Sequence, residues 1–152
     1  LAFTSAPPGD RQLYQGVWIA DMEAGQVHHL YEEGVVAYLW KPDSTGLILV
    51  TRGRGPAQFQ WNELDLSTGA VRSLCGFFPT LDQKFFLHYF EQFAVSHSLV
   101  SPDSSRLVFA SHPDPRRGGS DTSAHICIVD LTAETPKEEL VAPGEFAIYS
   151  AQ

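Results

Sequence analysis

Histidine side chains are the groups of this chain best suited to hold a metal ion or to move a proton near neutral pH. His28 and His29 are adjacent on a predicted strand, so their side chains point to opposite faces. Asp82, His88, Glu91 and His97 can converge only through tertiary folding, because no pair of histidines has compact ligand spacing. A metal-assisted lyase or hydrolase site with His88 and His97 is therefore one hypothesis, although the sequence itself predicts no cofactor.

The sequence contains no motif that would place a nucleophile or hold a phosphate chain. It has no Gly-x-Ser-x-Gly elbow, no Cys–His signature and no phosphate loop. A net charge of −8 argues against a nucleic-acid or membrane-surface binder, and no apolar run has the length of a membrane span. The two cysteines, Cys75 and Cys127, are expected to be buried free thiols, with a single bridge as the alternative.

Arginines concentrate in segments rich in Gly and Pro. Arg52 and Arg54 flank a glycine, and Arg116 and Arg117 follow a proline. A basic rim on an acidic body would attract an anionic ligand or an acidic protein segment, and the alternative is that these arginines are only solvated. The candidate binding residues are Arg52, Arg54, Phe85, His88, Tyr89, His97, His112, Arg116 and Arg117.

Repeated motifs must position these residues. A Pro-Asp turn followed by an apolar run occupies residues 40–51 and returns at 100–111, and the run alone opens the chain at 1–5. A second motif is a strand that ends on aspartate, at Asp21, Asp65 and Asp130. Self-similarity at a spacing of roughly 45 to 65 residues is typical of a propeller, in which one repeat forms one blade.

The repeats predict a single all-β domain over residues 1–152, with strands named A to D from the channel outward. The predicted strands are 1–5, 13–21 and 26–30 (B-C-D); 35–40, 47–52, 59–66 and 70–74 (A-B-C-D); 93–100, 106–111, 125–131 and 137–141 (A-B-C-D); and 145–150 (A). These are three four-stranded blades' worth of strands, half of a six-bladed β-propeller ring. Such a half needs closure, so we expect either a homodimer, in which each last strand A completes the other copy's first blade, or the other half of a longer chain.

The long connections share one face of the predicted propeller. They are the B–C loops at 6–12, 53–58 and 112–124 and the D–A connection at 75–92, and His97 lies close by on the predicted strand A. Long loops on a rigid scaffold commonly carry binding residues. This long-loop face is therefore the predicted contact surface.

An aromatic-rich insertion at 77–93 is the most unusual segment. Thr80 and Gln83 fit a helix capping box, and Leu81, Phe85 and Tyr89 recur at every fourth position, which predicts one short helix near 81–92. Its aromatic side chains would serve either as a plug over the channel mouth or an inter-blade groove, or as a contact surface for a partner.

The Pro-Asp motifs resemble those of a known family. Trp40 to Ser44 and Val100 to Phe109 look like the Trp-Ser-Pro-Asp-Gly-x-x-Leu-x-Phe signature of TolB-type (WD-repeat-like) six-bladed propellers, with Val100 in place of Trp and Ser in place of Gly after the Asp. The resemblance covers nearly the whole chain. It implies the propeller fold and an extracytoplasmic location, although residue 1 opens no signal peptide and starts inside a repeat, as in a piece of a longer protein.

The leading hypothesis is a non-catalytic propeller scaffold that binds a protein or peptide on its long-loop face. Propellers of the resembled kind serve in transport accessory proteins, in peptidases and in some lyases. The alternatives are therefore a metal-assisted lyase or hydrolase at the channel mouth, or the regulatory propeller of a larger serine peptidase. Neither a nucleic-acid partner nor a membrane span is predicted.

Overall fold

A computed structural model describes residues 1–5, 14–93, 96–117 and 122–150. The predicted B–C loop at 6–12 and part of the loop at 112–124 lie outside these residues. The described strands are β1 Ala2–Ser5, β2 Tyr14–Asp21, β3 Gln26–Val35, β4 Ala37–Trp40, β5 Gly46–Arg52, β6 Phe59–Asp65, β7 Val71–Pro79, β8 Arg106–His112, β9 His125–Asp130 and β10 Glu138–Pro143. The helices are α1 Leu81–His88 and α2 Phe90–Phe93, and a 3₁₀ turn covers Pro115–Arg117.

The strands form two antiparallel sheets. One has the order β1-β2-β3, and the other has the order β10-β9-β8-β7-β6-β5-β4. Together they curl into a half-barrel of propeller type with two short helices, so the predicted all-β propeller arc with one helical insertion is confirmed. No helix in the described ranges is long and apolar enough to cross a bilayer.

Strand β5 shows how one blade packs between two others. Leu47 and Leu49 belong to a buried cluster with β1, β2 and β3, whereas Ile48 and Val50 belong to a second cluster with β8 and β9. Successive side chains of a strand point to opposite faces, so a strand covered on both faces must be apolar throughout. Burial of each such side chain contributes about 1.5–3 kcal/mol.

The Pro-Asp turns, at the end of the sheet opposite the long loops, have the predicted hydrogen bonds. Oδ1 of Asp43 accepts a hydrogen bond from the backbone N–H of Thr45 at 3.0 Å, and Oδ1 of Asp103 accepts one from that of Ser105 at 3.1 Å. The residues that follow each Asp, Ser44 and Ser104, have φ values of 61° and 59°. This left-handed conformation is the reason for Gly at this position in the resembled motif.

The described residues of this segment, 93 and 96–100, form no regular strand A in the third blade, so the predicted strand at 93–100 is wrong. Phe93 ends α2, and the segment contributes only two isolated bridges, Ser98 with Tyr149 and Val100 with Leu107. In the predicted strand at 145–150 only Tyr149 pairs, through an isolated bridge to Ser98 of the same chain.

Three separate segments replace strand A along the inner edge of β8. The N–H of Val108 donates to the Leu99 carbonyl at 2.8 Å, and the N–H of Ala110 donates to the side-chain oxygen of Gln83 at 3.0 Å. The far end of β8 pairs with the last two residues of β7. Strand β7 is therefore longer than the predicted 70–74, because its end crosses from the second blade to the third.

Other boundaries differ in smaller ways. Strand β3 continues to Val35 rather than ending at Leu30, which shortens the next strand A to Ala37–Trp40. The predicted helix at 81–92 is divided at Tyr89 into α1 and α2. Its N-terminus is as predicted, because Oγ1 of Thr80 accepts a hydrogen bond from the backbone N–H of Gln83 at 3.1 Å.

Candidate functional site

The long-loop ends of β5, β6, β7 and β8 lie side by side. Arg52 pairs with Phe59, Phe59 pairs with Phe77, and the neighbouring Phe78 pairs with His112. One row of residues therefore crosses four adjacent strands from the second blade to the third. The basic residues of this row and of the adjoining loops are called the arginine rim. They are Arg52, Arg54, His112, Arg116 and Arg117.

Aromatic rings at this end lie beneath two of the guanidinium groups. The guanidinium carbon of Arg52 lies 5.6 Å from the ring centre of Phe59, and that of Arg116 lies 5.9 Å from the ring centre of Phe78. A guanidinium within about 6 Å of an aromatic ring is attracted to its face by about 0.5–1 kcal/mol at exposed sites. These contacts favour defined positions for two otherwise flexible side chains.

Arg116 is paired within its own loop and lies close to the loop of the neighbouring blade. It donates from Nε and Nη2 to the two carboxylate oxygens of Asp114, each at 2.9 Å, and this bidentate contact raises the pKa of the guanidinium. Its Nη1 comes so near Gly55 that a Cβ there would lie only 3.3 Å away. Gly55 thus leaves room for a close approach between the loop of the second blade and that of the third.

Gln58 closes the loop that carries Arg54. The N–H of Gly53 donates to the Gln58 backbone carbonyl at 2.8 Å, and the N–H of Gly55 donates to the Gln58 side-chain oxygen at 3.2 Å. Arg54 is exposed on this closed loop. The local sequence pattern did not predict this role for Gln58, because the role depends on hydrogen bonds that form only when the loop folds back on itself.

The remaining rim residues lie at the end of β8 and beyond it. His112 is exposed as the last residue of β8, with Nδ1 3.2 Å from the carbonyl oxygen of Thr122. Arg117 ends the 3₁₀ turn, and only its backbone is among the described atoms. The structure thus brings Arg52, Arg54, His112 and Arg116 to one end of the sheet.

The two candidate metal-binding histidines, His88 and His97, do not line one pocket. His97 is half-buried, with Nδ1 2.6 Å from Oγ of Ser96, and it follows α2 rather than lying on a strand A. His88 is exposed at the end of α1, where its ring meets Tyr89 edge-on at 4.6 Å. Within the described ranges, no three His, Cys, Asp or Glu side chains are grouped so that they could hold a metal ion.

His97 instead contributes to a cavity, called here the aromatic pocket. Its volume is about 190 Å³, and it is lined by Asp82, Phe85, Phe86, Phe93, His97 and Phe146. The Phe86 ring lies 5.4 Å from that of Phe93 and 5.4 Å from that of Phe146. Of the four groups that tertiary folding was expected to unite, Asp82 and His97 share this pocket, whereas His88 and Glu91 do not line it.

Helix α1 has one buried and one exposed apolar face. Phe86 and Leu87 are buried, whereas Leu81 is 80% exposed, Phe85 is 58% exposed and Tyr89 is 39% exposed. The rings of Phe85 and Tyr89 lie 4.8 Å apart. The every-fourth-residue stripe read from the sequence is thus the outer face of the helix, and the packed face is the one beside it.

Comparison with known proteins concerns the fold. No family model matches the chain, and no curated protein matches its sequence. The tricorn protease superposes with a TM-score of 0.51 at 12% identity, over 86% of this chain and 11% of that one. An oligogalacturonate lyase in complex with manganese gives 0.51 at 15% identity, over 90% and 34%. TolB from Acinetobacter baumannii gives 0.49 at 18% identity, over 82% and 26%.

These solved structures are all propeller folds. The chain spans about a third or less of the length of each of them. The curled antiparallel sheets and the two likenesses at a TM-score of 0.51 lead to one conclusion: the chain has the fold of a propeller arc.

Proposed function

We propose that this propeller arc is a non-catalytic scaffold that binds an acidic protein or peptide segment through the arginine rim. The observation that carries the proposal is the strand register across β5 to β8. It brings Arg52 and Arg116, which belong to different blades, to the same end of the sheet, each with its guanidinium near an aromatic ring.

The charge distribution favours an acidic partner. The segments 52–58 and 112–117 contain four of the ten basic residues and one aspartate, on a chain whose net charge is −8. The net charge of the rest of the molecule is therefore more negative than −8. A basic patch on an acidic body steers an acidic segment toward the patch and orients it there.

The dimensions of the rim favour an extended segment over a single small anion. Adjacent strands are spaced by about 4.8 Å, so the row from β5 to β8 is roughly 15 Å long. An extended peptide rises about 3.3 Å per residue, so four or five residues would cover the row. Arginine suits such recognition because its planar guanidinium can bind a carboxylate through two parallel hydrogen bonds. The Nε–Nη2 edge of Arg116 already binds Asp114, so Arg52 and Arg54 are the arginines proposed to bind the partner's carboxylates.

The alternative of a metal-assisted lyase or hydrolase would need a set of ligands. The described part of the chain brings together Asp82 and His97 but no third metal-binding side chain, and the walls around them are phenyl rings. A catalytic metal site generally uses three protein ligands and an open position. The metal-enzyme alternative therefore requires at least one ligand in addition to Asp82 and His97.

We also propose that a second arc closes the ring, supplied by another copy of this chain or by the rest of a longer one, to give six blades. Among the described strands, β1 lies at the edge of its sheet and pairs with β2 alone. An open strand edge is a template for pairing with another chain. Solved propellers of this fold are longer than the present chain, which also favours an arc that is completed by further blades.

Fluorescence anisotropy with a short labelled polyglutamate peptide tests the binding proposal. The rim variant is Arg52→Gln combined with Arg54→Gln. The matched control is Arg106→Gln combined with Lys137→Gln, two exposed basic residues at the opposite end of the sheet. The rim variant should weaken binding by about threefold to tenfold, because two charge-assisted contacts are lost. The control should bind as the wild type does. Equal weakening in both variants, or no binding by the wild type at low salt, would contradict the proposal.

A further inference from the structure

The aromatic pocket has walls of unusual composition for its size. Four of its six lining residues are phenylalanines, and the other two are Asp82 and His97. A volume of about 190 Å³ is several times the ~30 Å³ that one water molecule occupies in the liquid. The pocket is therefore large enough for a small organic group.

The rings surround the cavity at different inclinations. Phe86 is nearly parallel to Phe93, with 19° between the ring planes, and it is inclined by 45° to Phe146. Phe93 meets the His97 ring edge-on at a distance of 5.4 Å. The face of an aromatic ring is electronegative, so several rings around one cavity attract a cation that has little hydration to lose.

Asp82 adds a full negative charge to this lining. It lies in the first turn of α1 and is exposed to solvent, on a chain whose net charge is −8. A purely apolar ligand would gain nothing from the carboxylate, and a metal ion would find only two suitable side chains. A strongly hydrated ammonium ion would lose its water against phenyl walls, whereas a methylated ammonium has a weak hydration shell and a soft apolar surface.

The geometry points to the aromatic pocket as a binding site for a quaternary or multiply methylated ammonium group. Phe86 is 3% exposed and forms the pocket's buried wall, whereas Phe85 is 58% exposed and stands on the solvent side. The group enters past Phe85, contacts the aromatic side chains of the lining and is held near the Asp82 carboxylate. This site is separate from the arginine rim and carries the opposite electrostatic preference.

Isothermal titration of the full chain with choline tests the site, with 3,3-dimethyl-1-butanol as the neutral isostere. Choline should bind with a Kd on the order of millimolar, and the isostere should bind several-fold more weakly. A parallel titration with free Nε-trimethyl-lysine distinguishes the two sources of this chemistry, a free small molecule and a methylated side chain, by which of the two binds more tightly.

Variants on the exposed face of α1 identify the location of binding without disturbing the core. Phe85→Leu should weaken choline binding about threefold to fivefold by removing one ring, and Asp82→Asn should weaken it about twofold to fivefold. Leu81→Ala, on the same face but outside the pocket, should leave binding unchanged. Equal affinity for choline and its isostere, an equal loss with Leu81→Ala, or no choline binding at tens of millimolar would overturn the proposal.

Discussion

The side-chain oxygen of Gln83 accepts a hydrogen bond from the backbone N–H of Ala110 at 3.0 Å, and so takes the place that a strand A carbonyl would otherwise occupy. Gln83 lies on α1 and is completely buried. The helical insertion therefore does more than cover the sheet. One of its side chains accepts a hydrogen bond from a backbone N–H of β8 at a position where no regular strand A pairs with β8.

Replacing Gln83 should destabilise the third blade. Gln83→Met keeps the approximate volume but leaves the buried N–H of Ala110 without an acceptor, which costs about 1–3 kcal/mol. Removal of the buried Nε2 of Gln83, which has no hydrogen-bond partner among the described residues, offsets part of this cost. Urea unfolding followed by circular dichroism measures the loss, with Gln92→Met as the control, since Gln92 is exposed on α2. If both variants unfold at the same urea concentration, the hydrogen bond has no structural importance.

The paired serines of the two Pro-Asp turns should respond differently to glycine. Ser44→Gly relieves a left-handed φ of 61° and should stabilise the chain by about 0.5–1 kcal/mol. Ser104→Gly relieves a similar φ, but Oγ of Ser104 also accepts a hydrogen bond from the backbone N–H of Asp43 at 2.9 Å, which links two blades. Losing this bond should offset the gain or exceed it.

Thermal unfolding separates these two serine variants. Ser44→Gly should raise the Tm by about 1–4 °C for a chain of this size, whereas Ser104→Gly should leave it unchanged or lower it. An equal rise in both variants would show that the link between the turns contributes nothing to stability.

Asp65 should make the stability of the chain sensitive to acid. Its Oδ1 accepts hydrogen bonds from the side chains and backbone N–H groups of Ser67 and Thr68, which lower the carboxyl pKa to about 2. Because the pKa in an unfolded chain is about 3.9, the ionised group stabilises the fold above about pH 4 and loses this effect as the pH falls toward 2.

Carboxyl-carbon NMR measures this titration directly. The Asp65 midpoint should lie near 2 in the wild type and should rise in Ser67→Ala, in which one hydroxyl donor is lost. A wild-type midpoint at about 3.9 would contradict the hydrogen-bonded turn.

Both thiols should be inert in the native chain. Burial, with the nearby Glu138 carboxylate as a second cause, raises the pKa of Cys127 to about 12 and also raises that of Cys75. The structure leaves both as free cysteines, as predicted. Because the thiolate is the reactive form, Ellman's reagent should modify neither thiol of the folded chain rapidly and both after urea is added. Rapid labelling without urea would show that this part of the sheet opens readily.

The sequence predicted those features that depend on nearby residues. The Pro-Asp turns, the apolar strand β5 and the cap at Thr80 each follow from residues within a few positions of one another. The fold class follows from their repetition, because similar local sequence patterns that recur along the chain form similar blades.

The features that the sequence did not predict depend on distant partners. The replacement of the third strand A could not be predicted from local patterns. It depends on a contact between Gln83 of α1 and Ala110 of β8, which are 27 positions apart in the chain. The aromatic pocket combines Phe86 with Phe146, which no periodicity connects. Likewise, the rim arginines were predicted from loop composition, but their contacts with Phe59 and Phe78 emerge only from the strand register.

The location of bound acidic peptide tests the central claim most directly. Backbone amide NMR of the ¹⁵N-labelled chain, titrated with a short polyglutamate peptide, reports where contact occurs. The account predicts shift changes concentrated at residues 52–58 and 112–117, weakening as salt is added. Changes concentrated instead at the Pro-Asp turns around Asp43 and Asp103, or none at either end, would contradict a binding scaffold that acts through the arginine rim.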